Sequence, residues 1–169
     1  MTAATATPFS TRHPLPAAAR KKLVALLNQS LSDLSDLYSQ TKQAHWNVKG
    51  ENFIALHKLF DELAATLQEP IDTIAERIVT LGGVAEGTLR QTAKRTDIAE
   101  LSRDFDHNEV LAELADRFAS VSKSGYEAIE KADDAKDPVT ADVYTEVTRG
   151  IDKALYFLET HLQKRTSAS

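Results

Sequence analysis

Apolar side chains recur along this chain at steps of three and four, the period of an α-helix with one buried face. Leu23, Leu27, Leu31, Leu34 and Tyr38 form the first stripe, in a segment from Ala17 to about Val48 that closes at Lys49-Gly50. Pro16 fits the first position of that helix. A second stripe, Leu56, Leu59, Leu63, Leu67, Ile71, Ile74, Ile78 and Leu81, begins behind Asn52 as a cap and stops at Gly82-Gly83. Pro70 falls inside it, where a proline removes a hydrogen bond at a cost of about 3 kcal/mol. Either two helices meet there or one helix kinks near Gln68, and the unbroken apolar phase favours the kink. A third helix is predicted from Val110 to about Lys131, with Leu111, Leu114, Phe118, Val121 and Ile129 inward. After a turn at Asp133-Asp134 and Asp137-Pro138, a fourth runs from Val139 to Gln163 on Val143, Val147, Ile151, Leu155, Leu158 and Leu162. The long connection from Gly83 to His107 carries a short helical candidate near Asp97 to Arg103.

Helices of roughly 25 to 30 residues each reach about 40 Å. Their connections are short except the middle one. A long crossover between the second and third helices is the signature of a ferritin-like four-helix bundle, so the expected class is all-α with that topology. The expected organisation is a flexible N-terminal arm over residues 1–16, the bundle over 17–163 and a short polar tail over 164–169. A length of 169 residues favours one domain with a sizeable core. The absence of cysteine excludes disulfides, thiolate-bound zinc, iron–sulfur clusters and a cysteine nucleophile. A net charge of -5 argues against a compact nucleic-acid binder, so any DNA contact has to come from tails or a local patch. No apolar run reaches the roughly 18 residues of a membrane span. Met1 to Leu15 lacks a basic start followed by an apolar stretch, so a cytoplasmic location is expected.

Five residues between positions 45 and 76 carry candidate metal chemistry. His57 and Asp61 are four apart, as are Asp72 and Glu76, and each pair shares a helix face. Extending the first helix's stripe arrives at His45. Imidazole nitrogen with carboxylate oxygen suits iron better than calcium or a structural zinc, while zinc, manganese or cobalt remain chemically acceptable in the same set. On a continuous second helix the two pairs lie on one stripe, yet Asp61 and Asp72 are about 16 Å apart along the axis. A metal–ligand bond is about 2 Å, so a straight helix cannot bring both pairs to one ion. Either the helix folds back at Pro70, or a second copy packs antiparallel and creates two sites related by a two-fold axis. Ala64, Ala65, Gln68 and Ala75 lie between the pairs on nearly the same face, and such small residues permit close approach. That favours two copies.

The segments TKQAHWNVKGENFIALHKLFDEL and IDTIAERIVTLGGVAEGT resemble the Dps family, the mini-ferritins named as DNA-protecting proteins of starved cells. The similarity runs from about Lys22 to Leu162. It implies a hollow homododecamer built from two-fold dimers. It also implies a ferroxidase site in which His45, His57 and Asp61 of one subunit meet Asp72 and Glu76 of its partner. The resemblance implies that Fe²⁺ is oxidised there by hydrogen peroxide, or less well by dioxygen, and that ferric mineral collects in the cavity. Trp46, beside His45, stands where it could act as an electron sink or as a packed interface aromatic. By the same resemblance Asp116 matches a pore acid and Glu62 a mineral-nucleating acid, although Val121, Lys123 and Lys58 stand where further acids are expected. DNA contacts would fall to Arg12, Arg20, Lys21, Lys22, Lys164 and Arg165, giving a non-specific DNA-condensing, nucleoid-associated protein as the alternative function.

Overall fold

The computed structural model describes residues 10–163. Five helices account for most of them: α1 (Ala17–Asn47), α2 (Phe53–Thr80), α3 (Leu89–Arg95), α4 (His107–Asp134) and α5 (Pro138–Leu162). The four long ones are those the apolar stripes predict. α1 packs along α2 and α4 along α5, and α3 rests on α1. Leu27, Leu37, Phe60, Ile74, Ile78, Leu114, Phe118 and Leu158 are fully enclosed between them. The outer positions of the stripes, Tyr38, Leu59, Ile71, Ile129, Val143 and Leu155, only flank this core. Leu162, expected inward, is exposed because it sits in the last turn of α5, beyond the packed part of the bundle.

Helix ends follow local chemistry. Pro16 is one position earlier than expected, at the N-cap of α1. Asn52 does cap α2, through its carbonyl, which accepts from the Leu56 amide, and not through its side chain. At the far end of α2, Gly82 has φ +83°, the Gly82 amide bonds the Val79 carbonyl and the Gly83 amide the Ile78 carbonyl. This is a Schellman stop, which asks for a residue free of a Cβ penalty.

α2 runs without interruption through Pro70. The proline's missing hydrogen bond is tolerated because Leu67 and Ile74, on either side of it, are buried against the neighbouring helices. The chain therefore does not fold back there, and two helices do not meet there.

The short crossover helix occupies Leu89–Arg95, not the 97–103 segment expected from sequence. Gln91 Oε1 accepts from both the amide and the hydroxyl of Thr88, fixing the start of α3. The later segment is held open by other elements. Asp33 accepts from the Asp97 amide, Glu113 from the Ser102 amide, and Arg117 donates to the Ala99 and Glu100 carbonyls. Backbone groups that have such partners gain nothing from closing a helical turn.

The last residues of the expected arm lie against the bundle. Leu15 packs on the core, and Arg20 donates to the Leu15 carbonyl and, at 2.9 Å, to the Leu81 carbonyl that ends α2.

The turn between α1 and α2 sets the register of the two helices that carry the histidines. The Lys49 amide donates to the Phe105 carbonyl, and Lys49 forms a parallel bridge with Asp106. Gly50 has φ +110°, and a Cβ built there would stand 2.3 Å from His107 Nδ1. Gly50→Ala is expected to destabilise the fold by about 1–3 kcal/mol through backbone strain and displacement of His107. Thermal melting checks this, and an unchanged melting temperature would contradict it.

Candidate metal centre

His45 lies in the last turn of α1 and His57 in the second turn of α2, so the short turn brings the rings together. They stack with centroids 3.9 Å apart at 24°. The polar contacts are reciprocal. His45 Nδ1 is 2.7 Å from the His57 carbonyl, and His57 Nδ1 is 2.8 Å from the His45 carbonyl. A carbonyl oxygen only accepts, so each Nδ1 must carry a hydrogen and donate it. In the neutral ring that leaves the lone pair on Nε2, the arrangement a metal ligand needs. Phe53 leans on the His57 ring at 5.2 Å and restricts it further.

Asp61 is one turn beyond His57. Its Oδ1 lies 3.9 Å from His45 Nε2. Two donors on one ion, each at about 2 Å from it, lie up to about 4 Å apart. The same Oδ1 also accepts from Lys42 Nζ at 2.6 Å. This hydrogen bond is the chief reason the Asp61 carboxyl is held below its ordinary range, and the charge of Lys42 adds to it. Sequence reasoning passed over Lys42. Its position three before His45 places it on the same face of α1, but a lone lysine at that spacing reads as solvated charge, and its partner is 19 residues away on another helix.

Asp72 and Glu76 are exposed on the far half of α2, away from the histidines. Glu76 lines an open groove of about 500 Å³ with Ala75, Val79, Thr80 and Ala85. Among the described residues of one copy, no three histidines and acids stand close enough to share an ion. One copy stacks His45 on His57 and sets Asp61 3.9 Å from His45, without closing the three into one ligand group, and it leaves Asp72 and Glu76 apart from them. Trp46 is 69% exposed, with Lys42 Nζ 6.0 Å from its ring centre, and Phe53 and Ile54 extend this bare apolar surface beside the histidines.

The remaining sequence candidates are dispersed. Glu62 lies exposed on α2, one turn after the exposed Lys58, and Asp116 is exposed on α4. Arg12, Lys21 and Lys22 are exposed, whereas Arg20 uses its guanidinium on backbone carbonyls. Lys164 and Arg165 lie outside the described residues. No described helix is long and apolar enough to cross a membrane.

Comparison with known proteins agrees with this architecture. The family model for the Ferritin-like domain matches residues 24–167. The chain is 41% identical to the DNA protection during starvation protein of Agrobacterium fabrum over 157 residues, 92% of this chain and 97% of that one. Its fold is similar to that of DpsC from Streptomyces coelicolor, with a TM-score of 0.90 at 27% identity, covering 100% of this chain and 99% of that one. It is also similar to a Dps protein of Vibrio cholerae described as a member of the ferritin-like diiron-carboxylate proteins, with a TM-score of 0.85 at 27% identity, covering 95% of this chain and 100% of that one. A bundle with this crossover and likeness along nearly its whole length place the chain in the Dps family of ferritin-like proteins.

Proposed function

We propose that this protein is a ferroxidase that takes Fe²⁺ as substrate at a site shared by two copies, oxidises it with hydrogen peroxide or dioxygen, and stores the ferric product in a hollow dodecamer. The observation that carries this reading is the reciprocal locking of His45 and His57, which leaves the lone pairs of both Nε2 atoms available to an outside ligand. Asp61 adds an anionic oxygen beside them.

The remaining donors are Asp72 and Glu76 of a second copy. α2 does not fold back at Pro70, so an antiparallel partner is the route by which the far half of the helix reaches the near half. The same packing covers Trp46, Phe53 and Ile54, an apolar group that a lone copy leaves in water. Each site then has two neutral nitrogens and three carboxylates. Hard, anionic oxygens favour the ferric over the ferrous state and so favour loss of the electron. Two ferrous ions give one electron each to a peroxide, which takes up two protons and leaves as two waters. Consuming both reactants together keeps hydroxyl radical from forming and so protects nearby DNA. In this reading Asp116 belongs to an entry pore, Glu62 to the mineral-nucleating inner wall, and Trp46 is a nearby electron or radical sink. Zinc or another divalent ion would compete for the same ligands.

Ferrous iron with peroxide is expected to give a soluble ferric core absorbing in the near ultraviolet, in a particle whose light scattering corresponds to twelve subunits. Precipitated iron, or a particle no larger than a dimer, would refute the storage reading.

A further inference from the structure

Several threonines inside these helices satisfy their hydroxyls four residues back. Thr41 donates to the Leu37 carbonyl, Thr145 to that of Ala141 and Thr160 to that of Tyr156. Thr148, in the middle of α5, does not. It is 3% exposed, and its Oγ1 has no hydrogen-bond partner among the described residues. A buried hydroxyl is costly without a partner, which either protein or water normally supplies. We propose that Thr148 lines a built site for one water molecule, enclosed between α1, α4 and α5, and that this water joins Thr148 to Tyr144 and Asp33. The site stands whether or not the protein oxidises iron.

The cavity there is about 20 Å³, and Thr148, Tyr144, Ser30, Asp33 and Gly125 are among the residues that line it. One water needs roughly 10–15 Å³ by this measure, with two to four polar partners. Donors and acceptors pair off around it. Ser30 Oγ is 3.3 Å from the Leu26 carbonyl, which only accepts, so the serine donates there. Ser30 Oγ is also 3.0 Å from Tyr144 Oη, so the phenol donates to the serine and keeps its own acceptor capacity. Burial pushes the Tyr144 phenol far above its ordinary range, so it stays neutral. Asp33 Oδ1 accepts from Gln29 Nε2 and from the Asp97 amide, while Oδ2 accepts only a longer contact from Gln29 at 3.2 Å. A molecule that accepts from Thr148 and donates to Tyr144 and Asp33 meets all these needs, and water is the smallest that does. Gly125 makes room for the arrangement, since a Cβ there would stand 2.3 Å from Thr148 Oγ1. α1 packs along α2, and α5 along α4. The water therefore adds a second polar tie, beside Ser30–Tyr144, between helices of different pairs.

A high-resolution crystal structure of the full chain tests the site directly. Density for one water is expected at roughly 2.5–3.0 Å from Thr148 Oγ1 and from at least one of Tyr144 Oη and the Asp33 carboxylate. A map with no density there would overturn the proposal, whatever the variants do. Thr148→Val keeps the shape and deletes the hydroxyl, and the sign of its effect separates the two cases. If a water bridges the cluster, the change strands that water and lowers the melting temperature by about 2–4 °C. In a dry cavity the same change removes an unpartnered hydroxyl and raises the melting temperature, which would overturn the proposal. Tyr144→Phe supplies the second arm. One water serving both hydroxyls makes the double variant lose less than the sum of the two single losses. Losses that simply add would mean that no shared water joins Thr148 to Tyr144.

Discussion

Two inactive variants are expected to restore each other when mixed. A His57→Ala/Asp61→Ala chain lacks the histidine half of each site, and an Asp72→Ala/Glu76→Ala chain lacks the acidic half. Alone, each is expected to lose iron oxidation by about a hundredfold or more, since even groups that only support a metal ligand are worth 10–100-fold. In a mixed two-fold dimer both defects fall in one site and the other site is wholly native. Random reassembly makes about half the dimers mixed, so about a quarter of all sites regain activity. Co-refolding the variants and measuring the initial rate of near-ultraviolet absorbance gives the answer. If the mixture is as inactive as its parts, Asp72 and Glu76 do not meet the histidines of another copy. The proposed site would then be wrong in its essential feature.

Much of this arrangement was legible in the sequence, for physical reasons that differ from residue to residue. The apolar stripes located the four long helices because burial of one face dominates their stability. The Gly82-Gly83 stop was legible because a Schellman turn needs glycine at one fixed place. His57 with Asp61, and Asp72 with Glu76, were legible because four-residue spacing is a local property. The misplaced crossover helix shows where locality ends. Residues 97–103 are kept open by Asp33, Glu113 and Arg117, which come from elsewhere in the chain. Lys42 shows the same limit, because its partner becomes a neighbour only after α1 and α2 pair. The carbonyls that lock the two histidines belong to the backbone and leave no trace in residue type.

Arg77→Met is expected to cost the fold about 3–5 kcal/mol, the usual result of stranding one member of a buried ion pair. Arg77 follows Glu76 on α2 but points inward. Its guanidinium holds both oxygens of Asp137 at 2.8 and 3.0 Å and the Thr140 hydroxyl at 2.9 Å. Asp137 also accepts from the Thr140 amide, capping α5, so the pair ties the second helix to the last. Burial alone would push the Asp137 carboxyl up. Hydrogen bonds from Thr140 and Arg77, with the Arg77 charge, outweigh it and hold the group below its ordinary value of 3.8. The sign of the linkage follows. A depressed carboxylate stabilises the fold fully above its unfolded value and loses that contribution as pH falls through the folded one. Without the arginine only the Thr140 hydrogen bonds still oppose burial, and acidification relieves part of the strain. The melting temperature should therefore drop by roughly 10 °C at neutral pH in the single variant, and the gap from wild type should narrow toward pH 4. Arg77→Met with Asp137→Asn removes the stranded charge while keeping a capping oxygen, and should recover more than half the loss. Melting curves of the three proteins across pH decide the matter. A single variant that loses less than about 1 kcal/mol, or a gap that widens in acid, would mean the pair does not fasten α2 to α5.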